Sequence, residues 1–487
     1  MQTKTRPYRF YDTAVSVCSS CLRRVDAKIV FEDGGVWMHK RCPQHGFERV
    51  LVADDINFYR RAREVYIKPP EQVLSCNTPI RWGCPYDCGI CPDHEQHGCT
   101  LLIEVTDHCN LRCPTCYAAS GPERLSHRSL EHIERMLDRA VANEGEPAVV
   151  QISGGEPTTH PQFFDILHAA MRRPIGHLMV NTNGVRIATE PGFAEKLAED
   201  FPDIEIYLQF DSFRRDVHRL LRGADLSRIR TQALERLNAA GVDTTLVSTV
   251  RRGINDDELG EIIEFALEQP CVRGVTFQPV QAAGRLDGYD EGYDRARDRL
   301  TLTEVRRRIL EQCDIFAPED IVPVPCHADS VAMAYALKLG GRMVPLTGLV
   351  DPEVLTETGR NTIAYEDDPE MRDKLFDLFS TRHSPISQAG ALGKLIGLLP
   401  GKARPKKIDY HKVFRVLIVQ FIDAHAFDLR SIRKSCVHIV HPDAKRVIPF
   451  DTYNMFYRDE LEQRVLEPIR RERELFLQPS TAEIKEA

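Results

Sequence analysis

The sequence lacks any apolar stretch approaching the roughly 18 residues that would suggest a membrane-spanning helix. Its opening segment, MQTKTRPYRFYDTAVSVCSSC, has no apolar core of the signal-peptide kind. It also lacks a basic excess. The 72 acidic and 64 basic side chains leave a formal net charge of -8, which offers nucleic acid no electrostatic footprint. No solenoid-length repeat and no low-complexity run is present. These absences argue against a helical membrane protein and a nucleic-acid binder, and make a cytoplasmic location the expectation. What is left is a chain of 487 residues, 42% hydrophobic and 28% charged. That is enough for two or three domains with a sizeable core.

Cysteine is the informative residue. There are 15, and 11 of them fall between Cys18 and Cys116. A secreted disulfide scaffold fits poorly, because the chain is long and its cysteines come in C-x-x-C-like steps. Closely spaced cysteines of this kind read as thiolate metal ligands. Cys18 and Cys21, followed by Cys42 and His45 in CPQHG, have zinc-ribbon spacing. A mononuclear zinc or rubredoxin-like iron is expected there, stapling a module with little core of its own. The fourth ligand is either His45 or a distant cysteine. Cys84, Cys88 and Cys91 form a C-x-x-x-C-x-x-C step, with Cys99 after it. These four read as one auxiliary [4Fe-4S] set packed close to the next cysteines, with a zinc site as the competing reading. Cys76, Cys271, Cys313, Cys326 and Cys436 remain. Core thiols are the plain reading for them. Cys326 and Cys436 are the choice if a further cluster exists.

Four regions follow. Residues 1–75 form the zinc-ribbon or rubredoxin-like module, and residues 76–100 the auxiliary cluster segment. Residues 101–280 form a regular α/β core, and residues 281–487 a mixed α+β C-terminal region. In the core, LLIEVT (Leu101–Thr106), AVVQIS (Ala148–Ser153), HLMVNTNG, IEIYLQFDS, DTTLVSTV and GVTFQPV read as strands. Ser126–Asn143, Pro161–Arg172, Gly192–Asp200, Ser227–Ala240 and Asp256–Glu268 read as helices between them. The strands are apolar without clean alternation, as in a covered parallel sheet. Six such units predict an incomplete (β/α)6 barrel, with chemistry at the C-terminal ends of its strands.

Directly after the first of these strands comes TDHCNLRCPTCYA, with Cys109, Cys113 and Cys116. Three thiolates hold three irons of a [4Fe-4S] cluster and leave the fourth open. A zinc knuckle completed by His108 is the competing reading. After the second strand comes SGGEPT.

With these motifs in this order, residues 101–280 resemble the radical S-adenosylmethionine (SAM) superfamily. The resemblance implies that Cys109, Cys113 and Cys116 carry the catalytic cluster. It places Gly154, Gly155, Glu156 and Pro157 around the amino group of SAM, with Tyr117 as the aromatic residue of the loop. It places Asn181 and Asn183, Gln209, Asp211 and Ser212, and Thr249 and Arg251 at strand ends that contact the ribose and carboxylate. The implied chemistry is reductive cleavage of SAM to a 5′-deoxyadenosyl radical that abstracts hydrogen from an unactivated carbon, supplied with electrons by a flavodoxin- or ferredoxin-type reductant. A non-catalytic iron–sulfur carrier would not need the SAM segment.

The N-terminal module, the GCPYDCGICP segment and the C-terminal SCVHIVHPDAKRVIPFDTYNMFYR are similar to the tetraether lipid synthase and dihydropterin methyltransferase-like group. That implies auxiliary [4Fe-4S] clusters, a mononuclear metal, and carbon–carbon bond formation on a lipid alkyl chain. The alternative is methylation of a small heterocycle such as a pterin. Members often carry further cysteines near the positions of Ser330 and Asp451, and this sequence does not. Ala391–Leu399, followed by Lys402, Arg404, Lys406 and Lys407, is compatible with peripheral contact at the inner membrane surface. A packed helix followed by a solvated loop is the alternative. No B12-binding segment is evident.

Overall fold

The computed structural model describes residues 6–71, 73–287, 294, 298–339, 342–357 and 412–477. The candidate membrane segment Ala391–Leu399 and its basic flank lie outside the described residues. Among the described residues no helix is long and apolar enough to cross a membrane.

The N-terminal module is a four-stranded antiparallel sheet. Its strands are β1 (Arg9–Val17), β2 (Arg24–Glu32), β3 (Gly35–Cys42) and β4 (Gly46–Ala53), paired in chain order. In β2, Val25, Ala27 and Ile29 turn inward while Arg24, Asp26 and Lys28 face out, the period-two pattern of a half-buried strand. The module sits on the rest of the molecule through Lys40. Its buried ammonium donates to the carbonyls of Val17, Ala424 and His425 at 2.8–2.9 Å.

The core begins with β5 (Thr100–Thr106), whose loop contains the two-residue β6 (Thr115–Cys116). It continues with β7 (Val149–Gly154), β8 (His177–Thr182), β9 (Glu205–Gln209), β10 (Thr244–Val250) and β11 (Val272–Pro279). All six long strands are parallel to their neighbours, as expected. The helices between them follow the periodicity closely. In Leu130–Glu144, Ile133, Met136, Leu137 and Ala140 make the buried stripe, Ser129 caps the start and Gly145 at φ 72° ends it. Besides the short helix Val185–Thr189, one helix of the core has no counterpart in the sequence reading: Arg215–Arg222. Its three arginines, with Asp216 and His218, leave only Val217, Leu220 and Leu221 as an apolar signal.

The expected six-strand sheet is larger than predicted. After β12 (Arg285–Leu286), which pairs antiparallel with β6, the C-terminal region adds β13 (Val322–Pro323), β14 (Val331–Leu339), β15 (Arg342–Pro345), β16 (Val413–Val419), β17 (Val437–Val440) and β18 (Val447–Pro449). β16 lies parallel beside β11, and β17 lies parallel beside β5. The core sheet therefore has eight parallel strands in the order β16-β11-β10-β9-β8-β7-β5-β17, flanked antiparallel by β14 and β18. Side chains from all eight parallel strands line one interior cavity, so the sheet is strongly curved. At the N-terminal end of the lumen Arg415 on β16 pairs with the fully buried Glu205, which His177 also contacts at 2.8 Å. Burial alone would raise that carboxyl, but Arg415 and His177 hold it well below the usual carboxylate range.

A second buried pair ties the C-terminus to the core. Arg458 meets Glu104 on β5 through two hydrogen bonds of 2.7 and 3.0 Å, with both side chains at most 7% exposed. Replacing Arg458 by Leu leaves Glu104 buried and unpaired, and should cost about 3–5 kcal/mol. Denaturant unfolding of the anaerobically purified protein measures this. The Glu104→Gln/Arg458→Leu double variant should recover part of the loss.

Candidate active site and metal centres

The turn after β1 carries Cys18 and Cys21, Cys42 ends β3, and His45 stands in the turn after it. Their ligand atoms all lie within 4.8 Å of one another. Cys21 and Cys42 are 3.8 Å apart, and His45 Nδ1 is 3.5–3.6 Å from Cys42 and Cys18. These are tetrahedral-edge distances for one ion with metal–sulfur bonds near 2.3 Å. His45, rather than a distant cysteine, completes the set.

The second group stands at the C-terminal end of β5. Cys109 and Cys113 are buried and Cys116 is half-buried. Burial pushes the Cys109 thiol up to about 12, so a thiolate there needs a metal to stabilise it. His108 turns its Nδ1 to the Arg124 carbonyl at 3.2 Å, and its atoms and the three thiols do not draw together within 4.8 Å as one mononuclear site would need, which disfavours the four-ligand zinc knuckle. The GGEP turn lies directly on the cysteine loop. Gly155 N donates to the Thr106 carbonyl and Glu156 N to the His108 carbonyl, both at 2.8 Å. A Cβ on Gly154 would stand 2.3 Å from Thr106 O, and one on Gly155 2.2 Å from His108 O. Gly154 also has φ of +127°. Here the glycines are demanded by contact with the loop. A cavity of about 260 Å³ opens beneath, lined by Cys109, Cys113, Cys116, Gly154, Gly155 and Glu156 among others.

Comparison with known proteins agrees with this geometry. Residues 103–266 match the model of the Radical SAM superfamily, and residues 10–54 match that of the HMPTM N-terminal zinc ribbon domain. The 7,8-dihydro-6-hydroxymethylpterin dimethyltransferase of Methanocaldococcus jannaschii is 30% identical, over 93% of this chain and 96% of its own. The chain belongs to the radical SAM superfamily. It is also similar to the GTP 3',8-cyclase of Alkaliphilus metalliredigens, at 29% identity over 49% of this chain and 69% of the relative. The mycofactocin maturase MftC of Mycobacterium ulcerans is 34% identical over 34% of this chain and 42% of the relative. Like other radical SAM proteins the chain uses a [4Fe-4S] cluster and SAM, and its remaining cysteine groups fit auxiliary centres and a zinc ribbon.

The residues expected around SAM divide into two sets. Tyr117, Gly154, Gly155, Glu156, Asn181, Asn183, Gln209 and Thr249 line the cavity, whereas Pro157, Asp211, Ser212 and Arg251 do not. Glu156 is 1% exposed and accepts hydrogen bonds from Thr158 Oγ1, Thr182 Oγ1 and Asn183 N at 2.6–2.7 Å. It thereby joins the end of β7 to the end of β8, a role that reading the carboxylate as a partner for an ammonium ion overlooks. Asn183 Nδ2 reaches Asn110 Oδ1 at 2.7 Å and bridges to the cysteine loop. Asp211 is fully buried behind the cavity and grips Arg222 at 2.5 and 2.7 Å. Arg222 does line the cavity, bonds Thr249 Oγ1 at 2.8 Å, and has an electrostatic and hydrogen-bond interaction with the Cys113 thiol. The sequence reading missed it along with its helix. Arg285 was missed too. It holds the loop by donating to the carbonyls of Cys113 and Ser120 at 2.9 and 2.6 Å.

The expected Cys84, Cys88, Cys91, Cys99 set does not assemble as one. Cys84 and Cys91 face one another, and the hydrogen bond from Cys84 draws Cys91 down to about 7. Burial raises Cys88 to about 12, and Thr452 Oγ1 bonds its sulfur at 3.0 Å. Asp87 Oδ2 accepts from the backbone N–H groups of Arg81, Trp82 and Gly83, which fixes the turn. Cys99 instead joins Cys326 and Cys436, all three within 4.8 Å, with Cys326 and Cys436 3.5 Å apart. Cys99 precedes β5 while Cys109 follows it. Ten residues of separation therefore do not place the two centres side by side: the seven-residue strand between them spans about 23 Å. Cys76 is exposed, and Cys271 and Cys313 are buried in the hydrophobic core. Asp451, at the position where an extra cysteine was missed, is buried near Cys436 and raised to about 7 by desolvation.

Two substitutions separate these sites. Gly155→Ala should displace the cysteine loop and lower iron content by about four atoms per chain, with loss of 5′-deoxyadenosine formation. Cys42→Ser should remove a single metal ion per chain and leave 5′-deoxyadenosine formation in place. Metal analysis with a single-turnover product assay reads both.

Proposed function

We propose that Cys109, Cys113 and Cys116 hold the SAM-cleaving cluster, and that the enzyme acts on a small heterocycle of the pterin kind bound in the lumen of the curved sheet. Bound at those thiols, the cluster and SAM supply a radical able to take hydrogen from an unactivated carbon. The chain's own residues position and seal. Glu156 and Asn183 lock the cysteine loop to β7 and β8, while Arg222, held by Asp211, places positive charge beside Cys113. Tyr117 packs against Phe450 at 5.0 Å on the rim of the cavity.

The observation that carries the substrate reading is the two-sided lumen. One wall is amide-rich, with Gln151, Asn181, Gln209 and Gln278 and the phenol of Tyr207. The opposite wall is Leu102, Leu417, Val419 and Val437. Asn181 and Gln281, both of which line it, each have a buried amide oxygen with no hydrogen-bond partner in the protein. A lining of amide side chains suits a ligand with N–H donors, which a pterin ring has and an alkyl chain lacks. The name of the near-full-length relative favours the same class. The joining of lipid chains, the other activity implied by the sequence resemblance, draws no comparable support. Cys84, Cys88 and Cys91, and separately Cys99, Cys326 and Cys436, serve as auxiliary metal centres.

The anaerobic protein should cleave SAM to 5′-deoxyadenosine with dithionite, and the Cys109→Ala/Cys113→Ala/Cys116→Ala variant should not. Incubation with a deuterated reduced pterin and, separately, a deuterated phospholipid decides the substrate. Deuterium should enter 5′-deoxyadenosine from the pterin. Transfer from the phospholipid alone would overturn the heterocycle reading.

A further inference from the structure

We propose that His97 is the fourth ligand of the metal centre at Cys99, Cys326 and Cys436, and that this centre is therefore closed. The inference rests on reading those three thiols as metal ligands. Cys99 and Cys436 are fully buried and Cys326 is 2% exposed. No fourth cysteine joins them among the described residues. His97 approaches one of them, with Nε2 3.9 Å from Cys99 Sγ, and stands outside the 4.8 Å grouping of the three thiols.

The opposite edge of the imidazole is fixed. His97 Nδ1 lies 3.1 Å from Glu144 Oε2, and the Glu144 side chain is 5% exposed. Glu144 Oε1 is itself held by Gly98 N at 2.8 Å and Asn143 Nδ2 at 2.6 Å. A carboxylate accepting from Nδ1–H leaves the Nε2 lone pair as the donor atom, the arrangement that orients metal-bound histidines. The step from His97 to Cys99 runs through Gly98. A Cβ there would stand 2.7 Å from Leu101 Cδ2 and 2.9 Å from Glu144 Oε1, so glycine is what lets the histidine and the cysteine share one site. The competing arrangement is an imidazolium bridging two carboxylates, because Glu71 Oε2 lies 3.5 Å from Nε2. Glu71 is the more exposed of the two, at 26%.

Closure has a chemical consequence. A centre with three thiolates and a histidine has no open position and is restricted to electron transfer or to holding the fold. A neutral imidazole in place of a thiolate makes it less negative, which raises its potential. The open position among the auxiliary centres then belongs to Cys84, Cys88 and Cys91.

The test is an anaerobic structure of the full-length holoprotein with anomalous data at the iron and zinc edges, together with His97→Ala and His97→Cys variants. Metal at the three thiols, with His97 Nε2 at a bonding distance of about 2.0–2.1 Å, is the expected result. In His97→Cys the centre should keep its metal, and if it holds iron its midpoint potential should fall. In His97→Ala the metal should be lost or its reduced-state spectrum altered, and the SAM cluster should be unaffected. Metal at the three thiols with His97 turned to Glu71 would overturn the inference and leave the auxiliary-centre reading intact. No metal at those thiols would overturn both.

Discussion

Strand β5 is the element on which the other parts depend. It is buried along its whole length, it pairs with β7 on one side and β17 on the other, and it has a candidate metal ligand beyond each end. Its C-terminal end presents the loop of Cys109, Cys113 and Cys116. Its N-terminal end presents Cys99, brought level with Cys436 because Thr100 is in register with Val437. Glu104 in its middle anchors Arg458 and through it the C-terminal segment. A shift in this strand's register would move all of these together, since a one-residue slip turns every side chain to the other face.

Burial of the thiols gives the sites their shared chemistry. Desolvation disfavours a charged sulfur, and it raises Cys88, Cys109 and Cys113 alike. Metal binding and the surrounding fold therefore support one another. The strands bring the thiols together at a cost in solvation, and the metal offsets that cost by making the thiolate the stable form. In the ribbon, Cys18 and Cys42 are buried as well, and of the four ligands His45 alone is exposed.

The cavity combines chemistry from distant parts of the chain. Its polar wall comes from β7 to β11. Its apolar wall comes from β5 and from β16 and β17, which belong to the C-terminal region. A superfamily core of six strands would leave that side open. The two added strands complete the enclosure, so the selectivity of the lumen is set in part by residues far from any recognisable motif.

The strands of the core, their parallel direction and the cysteine loop at the end of the first were legible in the sequence, because each depends on local pattern: apolar runs of strand length, helical periodicity, and thiols spaced within one loop. The grouping of Cys18, Cys21, Cys42 and His45 was legible for the same reason. The rest depended on contacts that local spacing does not encode. Cys99 sits eight residues from Cys91, yet it belongs with Cys326 and Cys436, because extended backbone carries neighbouring residues apart while sheet pairing brings remote ones together. Arg222 was hidden in an arginine-rich helix, and its place beside Cys113 is fixed by its pairing with Asp211, just past the end of the preceding strand β9. The sequence by itself determined which thiols can bind metal and which six segments form the core strands of the sheet. The tertiary structure alone decided which thiols share a centre and what faces the substrate, since hydrogen-bonded pairing between strands distant in sequence sets both.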